Sequence, residues 1–294
     1  MSYAHLTDKT AEVLTWPMPE RIVACQKDRW IGYAGAIDTL GQLDDLLAHP
    51  RTQRMRNLLI VGRSGNGKTA SLEHFIKRHP ILIAETGAPV APIVRIEMPE
   101  TPDESELWSC ILWALGISHR ERDPASIKKR QVKTTMQYAD VRMLVIDEFN
   151  NLANAGKRAG ELLAAIKNLS NELRISVVAA GTPAAIHALN SDLQMRSRFD
   201  AIPLSPWKRG MQYQRFLETY ERVIPLAKPS QMGSTSMATA LYDLGGETIG
   251  GTVKLLKAAS VEAIRSGAEQ ITPVVLAVLN WHRRNEWDKL AAQV

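Results

Sequence analysis

The residues with the clearest chemical potential form a short glycine-rich segment, residues 62–69. Its sequence, Gly-Arg-Ser-Gly-Asn-Gly-Lys-Thr, fits the pattern G-x-x-x-x-G-K-[ST]. Glycines let a loop wrap around a phosphate, so that backbone N–H groups and a helix N-terminus face the anion. Lys68 is then predicted to reach the β- and γ-phosphates of ATP, and Thr69 to bind Mg²⁺. The residues expected to contact the nucleotide here are Gly62, Arg63, Ser64, Gly65, Asn66, Gly67, Lys68, Thr69 and Ala70.

An acidic pair at the end of an apolar run supplies the second half of this chemistry. Residues 143–146 are Met-Leu-Val-Ile, and Asp147 and Glu148 follow them directly. This pattern predicts a buried strand that places Asp147 beside Mg²⁺ and Glu148 where it can polarise an attacking water. Taken alone, the run also fits a strand followed by a solvated turn. Its place on the next strand but one after the glycine-rich loop favours the catalytic interpretation, and Glu148 favours hydrolysis over phosphoryl transfer to a small acceptor.

The elements that must position these residues alternate between strands and helices. Short apolar runs predict strands, and helical periodicity lies between them. The strands are expected at residues 58–61, 93–96, 143–146, 175–180 and 201–204, the last an edge strand because it contains a proline. Continuous apolar strands separated by helices indicate a parallel sheet covered on both faces. After Pro206 only helices are expected, the last over residues 273–285.

The sequence therefore predicts an α/β fold with three parts. Residues 1–34 form an N-terminal arm packed on another element, and residues 35–205 form a core with a parallel five-stranded sheet between helices. Residues 206–294 form a small all-helical domain with a C-terminal helix.

Composition excludes several classes of protein. The chain has 294 residues, of which 45% are apolar and 23% charged, which is typical of globular proteins and excludes a disordered, collagen-like or coiled-coil chain. Two cysteines are too few for a disulfide framework. Neither a signal peptide nor a membrane-spanning run is found, so we expect a cytoplasmic protein without a membrane partner.

Positive charge is concentrated in residues 119–142. Seven lysines and arginines stand there against three acids, 7 − 3 = +4, compared with a net charge of +5 for the whole chain. Such a run is usually a solvated helix face, but it also suits contacts to the phosphates of duplex DNA without sequence preference. The candidate contacts are Lys128, Lys129 and Lys133.

Together these segments resemble the AAA+ ATPases and, more narrowly, the TniB/TnsC family of transposition regulators. The resemblance covers about residues 20–260. It rests on residues 30–33, 59–69, 96–99, 147–149, 180–183 and 196–199. It implies an AAA+ P-loop core followed by a helical lid, and an ATPase that depends on Mg²⁺ and is stimulated by assembly on DNA.

The resemblance also implies roles for single residues. Thr182 holds the place of the first γ-phosphate sensor, although it also fits a helix N-cap. Arg198, with Arg196 as second choice, holds the place of the arginine finger offered to a neighbouring subunit, although both also fit a solvated surface. Lys254 stands where related proteins carry the arginine of a second sensor, and an ordinary surface lysine is an equal alternative.

The arm before the first core helix lines the adenine pocket in such proteins. Ile31 and Tyr33 occupy that segment, and the alternative is ordinary packing of the arm on the core.

As a whole, the resemblance implies an ATP-dependent regulator of DNA transposition in the bacterial cytosol. It would form rings or helical filaments on duplex DNA, hydrolyse ATP between subunits, mark the target site, and recruit the transposase and a target-selection protein. The main alternative is a helicase loader or replication initiator. A signalling NTPase that holds ADP as a switch and a small-molecule kinase remain as more distant alternatives.

Overall fold

The computed structural model of the chain describes residues 3–85, 87–190, 192–279 and 281. The chain divides into two compact units. One consists of Gly35–Ser205, and the other combines Met1–Ala34 with Pro206–Val294. The arm therefore groups with the C-terminal helices and not with the segment that follows it directly.

Seven strands are found in the described residues. They are β1 (Asn57–Gly62), β2 (Leu82–Ile83), β3 (Pro89–Val90), β4 (Ile93–Glu97), β5 (Met143–Asp147), β6 (Ser176–Gly181) and β7 (Phe199–Leu204). Five of them form one sheet in the order β4-β5-β6-β1-β7, and every neighbouring pair is parallel. The predicted fold class is confirmed, and β7 with Pro203 lies at the edge as expected. Strands β2 and β3 pair as a separate short antiparallel hairpin, which the sequence pattern did not predict.

Thirteen α-helices are found in the described residues. They are α1 (Asp8–Val13), α2 (Met18–Gln26), α3 (Ala34–Ala48), α4 (Lys68–Arg78), α5 (Glu104–Ala114), α6 (Ala125–Tyr138), α7 (Ala159–Leu173), α8 (Ala184–Leu189), α9 (Leu193–Arg196), α10 (Met211–Glu221), α11 (Thr235–Gly245), α12 (Ile249–Arg265) and α13 (Pro273–Val278). A 3-10 segment, Phe149–Arg158, follows β5.

The unit that contains the sheet is held by a continuous apolar core. Strands β5 and β6 are buried along their whole length, which explains why their sequences are apolar runs and do not alternate. Trp108 of α5 and Phe149 are fully buried in the same cluster. The Trp108 indole Nε1 donates to Glu104 Oε1 at 3.1 Å, so burial of this ring leaves no unpaired donor.

The other unit has its own aromatic core. The Trp207 ring lies 5.8 Å from that of Tyr213 and 5.4 Å from that of Phe216, measured between centroids. The arm is fixed to this unit by an ion pair in which Arg21 donates to both carboxylate oxygens of Glu269, at 2.9 and 2.5 Å. Both side chains are mostly buried, and the two hydrogen bonds require a defined relative orientation of guanidinium and carboxylate. The contact therefore holds the arm by its geometry as well as by its charge.

Two segments differ from the expectation. The arm contains two helices, α1 and α2, which were not predicted from the sequence because they are too short for their periodicity to be distinctive. Helix α13 ends at Val278, followed by Leu279 in extended conformation, so it is shorter than the predicted 273–285. Residues 280 and 282–285 of that prediction lie outside the described residues.

In the described part of the chain, every helix falls short of the length and apolar character that a membrane crossing requires.

Candidate functional site

The glycine-rich segment forms the turn from β1 into α4. Gly65 and Gly67 have φ of 81° and 82°, a left-handed conformation that glycine adopts without steric penalty. Gly67 caps α4, which begins at Lys68. The loop therefore directs the start of a helix toward the space beyond the strand ends, as phosphate binding requires.

Asn66 anchors this loop to the neighbouring strand. Its side chain is 3% exposed, and its Nδ2 donates to the carbonyl oxygen of Leu204 in β7 at 3.0 Å. A Cβ on Gly62 would lie 3.0 Å from the same oxygen, so the loop lies tight against β7. The Oδ1 atom of Asn66 is buried without a partner among the described residues. We expect Asn66 to shape the loop, with backbone N–H groups left to face a phosphate.

Lys68 is folded back on its own loop. Its Nζ donates to the carbonyl oxygens of Gly62 at 2.9 Å and Arg63 at 3.2 Å. Burial lowers the pKa of its ammonium group, and the negative charges of Glu148 and Asp147 oppose that shift. The ammonium is thus a buried cation held by neutral carbonyls, an arrangement that favours exchange for anionic phosphate oxygens.

Thr69 and Asp147 meet where β5 ends beside α4. The Thr69 Oγ1 donates to Asp147 Oδ2 at 2.9 Å, and Asp147 Oδ1 accepts the backbone N–H of Glu148 at 2.9 Å. Asp147 is 1% exposed. Among the described residues no cluster of three or more His, Cys, Asp or Glu could hold a metal alone. One hydroxyl and one carboxylate fit Mg²⁺, which binds few protein oxygens and completes its shell with phosphate and water.

Arg95 also contacts this site, and no sequence motif predicted its role. Its Nη2 lies 3.1 Å from Asp147 Oδ2, and its guanidinium also contacts Glu73 at 3.4 Å and Glu97 at 3.5 Å. The side chain is 22% exposed, and its Nε is buried without a partner in the described part of the chain. A positive charge therefore compensates the buried carboxylate of Asp147. The available signal was an arginine inside the apolar run 93–96.

Glu148 follows Asp147 in a left-handed conformation, with φ of 49°. Its side chain is exposed, and its Oε2 accepts a hydrogen bond from Asn150 Nδ2 at 3.3 Å. Asn150 is a second site residue that was not predicted from the sequence. The backbone thus turns sharply after Asp147. As a result the carboxylate of Asp147, the candidate metal ligand, is buried, whereas the carboxylate of Glu148 faces solvent.

Thr182 follows the end of β6. Its backbone N–H donates to Asn150 Oδ1 at 3.1 Å, and its carbonyl accepts the N–H of Ala185 at 2.9 Å. Helix α8 is capped by Pro183 and not by Thr182. The side chain of Asn150 thus connects Thr182, the candidate first sensor, to Glu148.

The two candidate finger arginines differ in environment. Arg198 is half-buried, and its Nη1 donates to Asn171 Oδ1. Arg196, at the end of α9, is exposed, and its side chain has no hydrogen bond or ion pair to any described residue. Arg196 is therefore the more available of the two for a neighbouring molecule.

Three predicted nucleotide contacts lie in the unit that combines Met1–Ala34 with Pro206–Val294. Ile31 and Tyr33 pack on its aromatic core, with the Tyr33 ring 5.0 Å from that of Trp207. Burial raises the pKa of Tyr33 to about 12. Lys254 is exposed on α12. The adenine and second-sensor roles of these residues stay predictions.

The basic stretch requires one correction. Lys128 is 2% exposed, and its Nζ donates to Ser105 Oγ at 2.9 Å and to the carbonyl of Glu121 at 2.8 Å. It is an internal tether, so its predicted contact with DNA is wrong. Lys129 is half-buried with its Nζ 5.8 Å from the Trp108 ring centroid, and Lys133 pairs with Glu172.

A parallel five-stranded sheet in the order β4-β5-β6-β1-β7, with a P-loop after β1 and an Asp-Glu pair that begins at the last residue of β5, identifies the AAA+ class of P-loop ATPases. Within that class, the chain belongs to the TniB family, because the family model "Bacterial TniB protein" matches residues 21–209, more than half of the chain.

Solved structures of Aeropyrum pernix proteins share the fold. The ORC1 protein in complex with DNA has a TM-score of 0.64 at 17% identity, with 87% of this chain and 67% of that chain covered. The ORC2 protein, solved as ADPNP–ADP complexes, has a TM-score of 0.63 at 17% identity, with 91% and 74% covered.

One curated protein matches a part of the chain in sequence. The ATP-dependent Clp protease ATP-binding subunit ClpL of Lactococcus lactis subsp. lactis is 28% identical over 135 residues. That match spans 44% of this chain and only 16% of ClpL.

Proposed function

We propose that this protein is an ATP-dependent regulator of DNA transposition. It binds ATP and Mg²⁺, assembles as rings or filaments on duplex DNA, hydrolyses ATP between subunits, marks a target site, and recruits the transposase and a target-selection protein. The carrying observation is the site formed by Lys68, Thr69, Asp147 and Glu148 in a chain of the TniB family. The transposition role itself rests on the family resemblance.

The positions of these side chains support a hydrolytic step. Lys68 would exchange its two carbonyl partners for phosphate oxygens, while Thr69 and Asp147 would hold the metal. Bound Mg²⁺ supplies charge neutralisation at the phosphates. Glu148, exposed beyond the buried Asp147, orients an attacking water and accepts its proton. The A. pernix ORC2 protein was solved as ADPNP–ADP complexes, which supports the choice of an adenine nucleotide.

Assembly would complete the site from a second subunit. Arg196 is exposed without an internal partner among the described residues, whereas Arg198 is held by Asn171. We therefore place Arg196 ahead of Arg198 as the finger, which reverses the preference drawn from the sequence. A guanidinium delivered in trans stabilises negative charge in the transition state and makes turnover depend on oligomerisation.

DNA binding would use the exposed part of the basic stretch. Arg120, Arg122 and Arg130 are exposed, and with the half-buried Lys129 and Lys133 they offer charge to backbone phosphates. Several subunits, each with a few such contacts, would bind duplex DNA tightly and with strong dependence on salt.

A helicase loader or replication initiator is the second candidate, because the fold is shared with the A. pernix ORC proteins. Co-purification with a replicative helicase and without a transposase would favour it.

The decisive experiment is electron microscopy of the protein on plasmid DNA with ADP, ATP or a non-hydrolysable analogue, alongside ATPase assays with and without DNA. We expect assemblies only with a triphosphate, and faster hydrolysis with DNA. Glu148→Gln should retain the assembly and lose turnover, because water activation is lost while phosphate binding remains. Glu161→Gln, the same change at an exposed residue of α7, is the matched control. Monomers off DNA in every nucleotide state would refute the proposal.

A further inference from the structure

The side chain of Asn150 connects two parts of the site that the chain keeps far apart in sequence. Its Nδ2 donates to Glu148 Oε2 at 3.3 Å, and its Oδ1 accepts the backbone N–H of Thr182 at 3.1 Å. One primary amide thus contacts the exposed carboxylate after β5 and the first backbone N–H after β6.

The orientation of this amide is fixed by its neighbours. The Thr182 N–H can only donate, so it requires the carbonyl oxygen of Asn150 on its side, and the NH₂ group must then face Glu148. Nδ2 also donates to Asn151 Oδ1 at 3.2 Å, and Asn151 Nδ2 in turn donates to the carbonyl of Met98 at 2.9 Å. A flipped amide would place an oxygen against the Glu148 carboxylate and against Asn151 Oδ1, and a donor against the Thr182 N–H, so all three hydrogen bonds would be lost.

Close packing also confines Asn150. The neighbouring Gly181 has no room for a side chain, since a Cβ there would lie 3.1 Å from Asn150 Oδ1 and 2.9 Å from the Cβ of Ala185. Asn150 is half-buried, whereas Glu148 is exposed. The fixed partner in this pair is therefore the amide, and the movable one is the carboxylate.

We propose that Asn150 is a positioning residue for Glu148. An exposed glutamate has several accessible rotamers, and a single hydrogen bond from a rigid amide restricts its carboxylate to the direction that Asn150 sets. Because the same amide is held by the N–H of Thr182, any displacement of the β6 end is transmitted to Glu148. This inference rests on the proposed function, in which Glu148 orients the attacking water.

The test is the nearly isosteric change Asn150→Asp. Aspartate keeps an acceptor oxygen for the Thr182 N–H but replaces the donor that faces Glu148 by a second carboxylate oxygen, which repels Glu148. We expect kcat for ATP to fall at least about tenfold with KM changed less than about twofold, because phosphate binding does not use this contact.

Asn154→Asp is the matched control. It adds the same charge to the same 3-10 segment, but Asn154 is exposed and its Nδ2 donates to the carbonyl of Glu100 at 2.9 Å, away from Glu148. We expect its kcat to stay within about twofold of wild type. An equal loss in both variants would assign the effect to charge in the segment and overturn the proposal.

A spectroscopic readout separates this inference from the proposed function. In the nucleotide-free protein, amide exchange of Thr182 measured by NMR should be faster in Asn150→Ala, which lacks the acceptor, and unchanged in Asn150→Asp. Unchanged Thr182 exchange in Asn150→Ala would refute the bridge itself. Normal wild-type hydrolysis with an unaffected Asn150→Asp would refute only the positioning role. A wild-type protein that hydrolyses no ATP would refute the proposed function, and the positioning role with it.

Discussion

Arg95 offers a direct test of how the buried carboxylate of Asp147 is compensated. Its guanidinium lies 3.1 Å from Asp147 Oδ2 and within 3.5 Å of Glu73 and Glu97. Arg95→Met removes the charge and keeps an unbranched side chain in the same place. The change therefore isolates the electrostatic contribution from most of the packing.

The expected magnitude follows from the burial of the pair. Removing one partner of a fully buried ion pair costs about 3–5 kcal/mol. Asp147 is 1% exposed but retains hydrogen bonds from Thr69 and from the backbone of Glu148, and Arg95 is 22% exposed. We therefore expect the free energy of unfolding of the nucleotide-free protein to fall by about 2 kcal/mol, or the Tm by about 4–8 °C.

The assay compares thermal and urea unfolding of Arg95→Met with that of Arg56→Met. Arg56 pairs with Asp200 at 2.9 Å in the same unit, but both side chains are 61% exposed, so its loss should change stability very little. When the measurement is repeated with ADP and Mg²⁺, the difference in free energy of unfolding between Arg95→Met and wild type should become smaller. A bound divalent cation supplies positive charge beside Asp147 and stabilises the variant more than the wild type.

Two results would refute this reasoning. Equal stability losses in the two methionine variants would mean that Asp147 does not depend on the Arg95 charge. A gap that is the same with and without Mg²⁺ nucleotide would assign the loss to packing and not to charge compensation.

Two further predictions concern the helical unit, which combines Met1–Ala34 with Pro206–Val294. Burial raises the pKa of Glu269, but its hydrogen bonds with Arg21 and its other partners outweigh burial and hold that pKa below the usual range. The contribution of the Glu269 carboxylate to the free energy of unfolding is therefore complete above the unfolded-state pKa. This contribution is lost as pH falls through the folded-state pKa. Glu269→Gln should lower the unfolding free energy by about 1–2 kcal/mol at pH 7 and by progressively less in acid, as measured by urea unfolding across pH, and a pH-independent difference would contradict this. Glu221 accepts the backbone N–H groups of residues 230–232 at 2.5, 3.0 and 2.9 Å. Glu221→Gln should cost about 2 kcal/mol and accelerate hydrogen exchange at those amides, since one carbonyl oxygen cannot satisfy three donors; unchanged exchange would exclude that role.

The sheet and the phosphate loop could be predicted because their signals are local. Strands buried on both faces are apolar runs by necessity, and β1, β5 and β6 lie within one residue of their expected bounds. The left-handed Gly65 and Gly67 belong to a motif with fixed spacing, so no knowledge of distant contacts was needed.

Residues that act through tertiary contacts could not be found in this way. Arg95 lies opposite Val145 in the β4–β5 ladder, two positions before Asp147, so its side chain shares a face with that aspartate. This proximity depends on a strand register that the sequence does not encode in any short pattern. Asn150 likewise gains its partner only because β5 and β6 are neighbours.

Lys128 shows the opposite limit. A run of lysines on a helix predicts a solvated or DNA-binding face, but the direction of each side chain depends on what packs against the helix. In this fold α6 packs on α5, and the Nζ of Lys128 reaches Ser105 at the start of that neighbour. A count of charges cannot separate such a tether from its exposed neighbour Arg130.

The grouping of the arm with the C-terminal helices has a consequence for synthesis of the chain. The arm emerges from the ribosome first, while its ion-pair partner Glu269 and the aromatic core around Trp207 follow only after residues 35–205. At about 5–20 residues per second, that interval lasts on the order of 10–35 s. Throughout it, Cys25 and the apolar face of α2 lack their cover. The sheet-containing unit can fold during this time. The other unit is completed last, because its two segments, Met1–Ala34 and Pro206–Val294, are separated in the sequence by the whole of the sheet-containing unit.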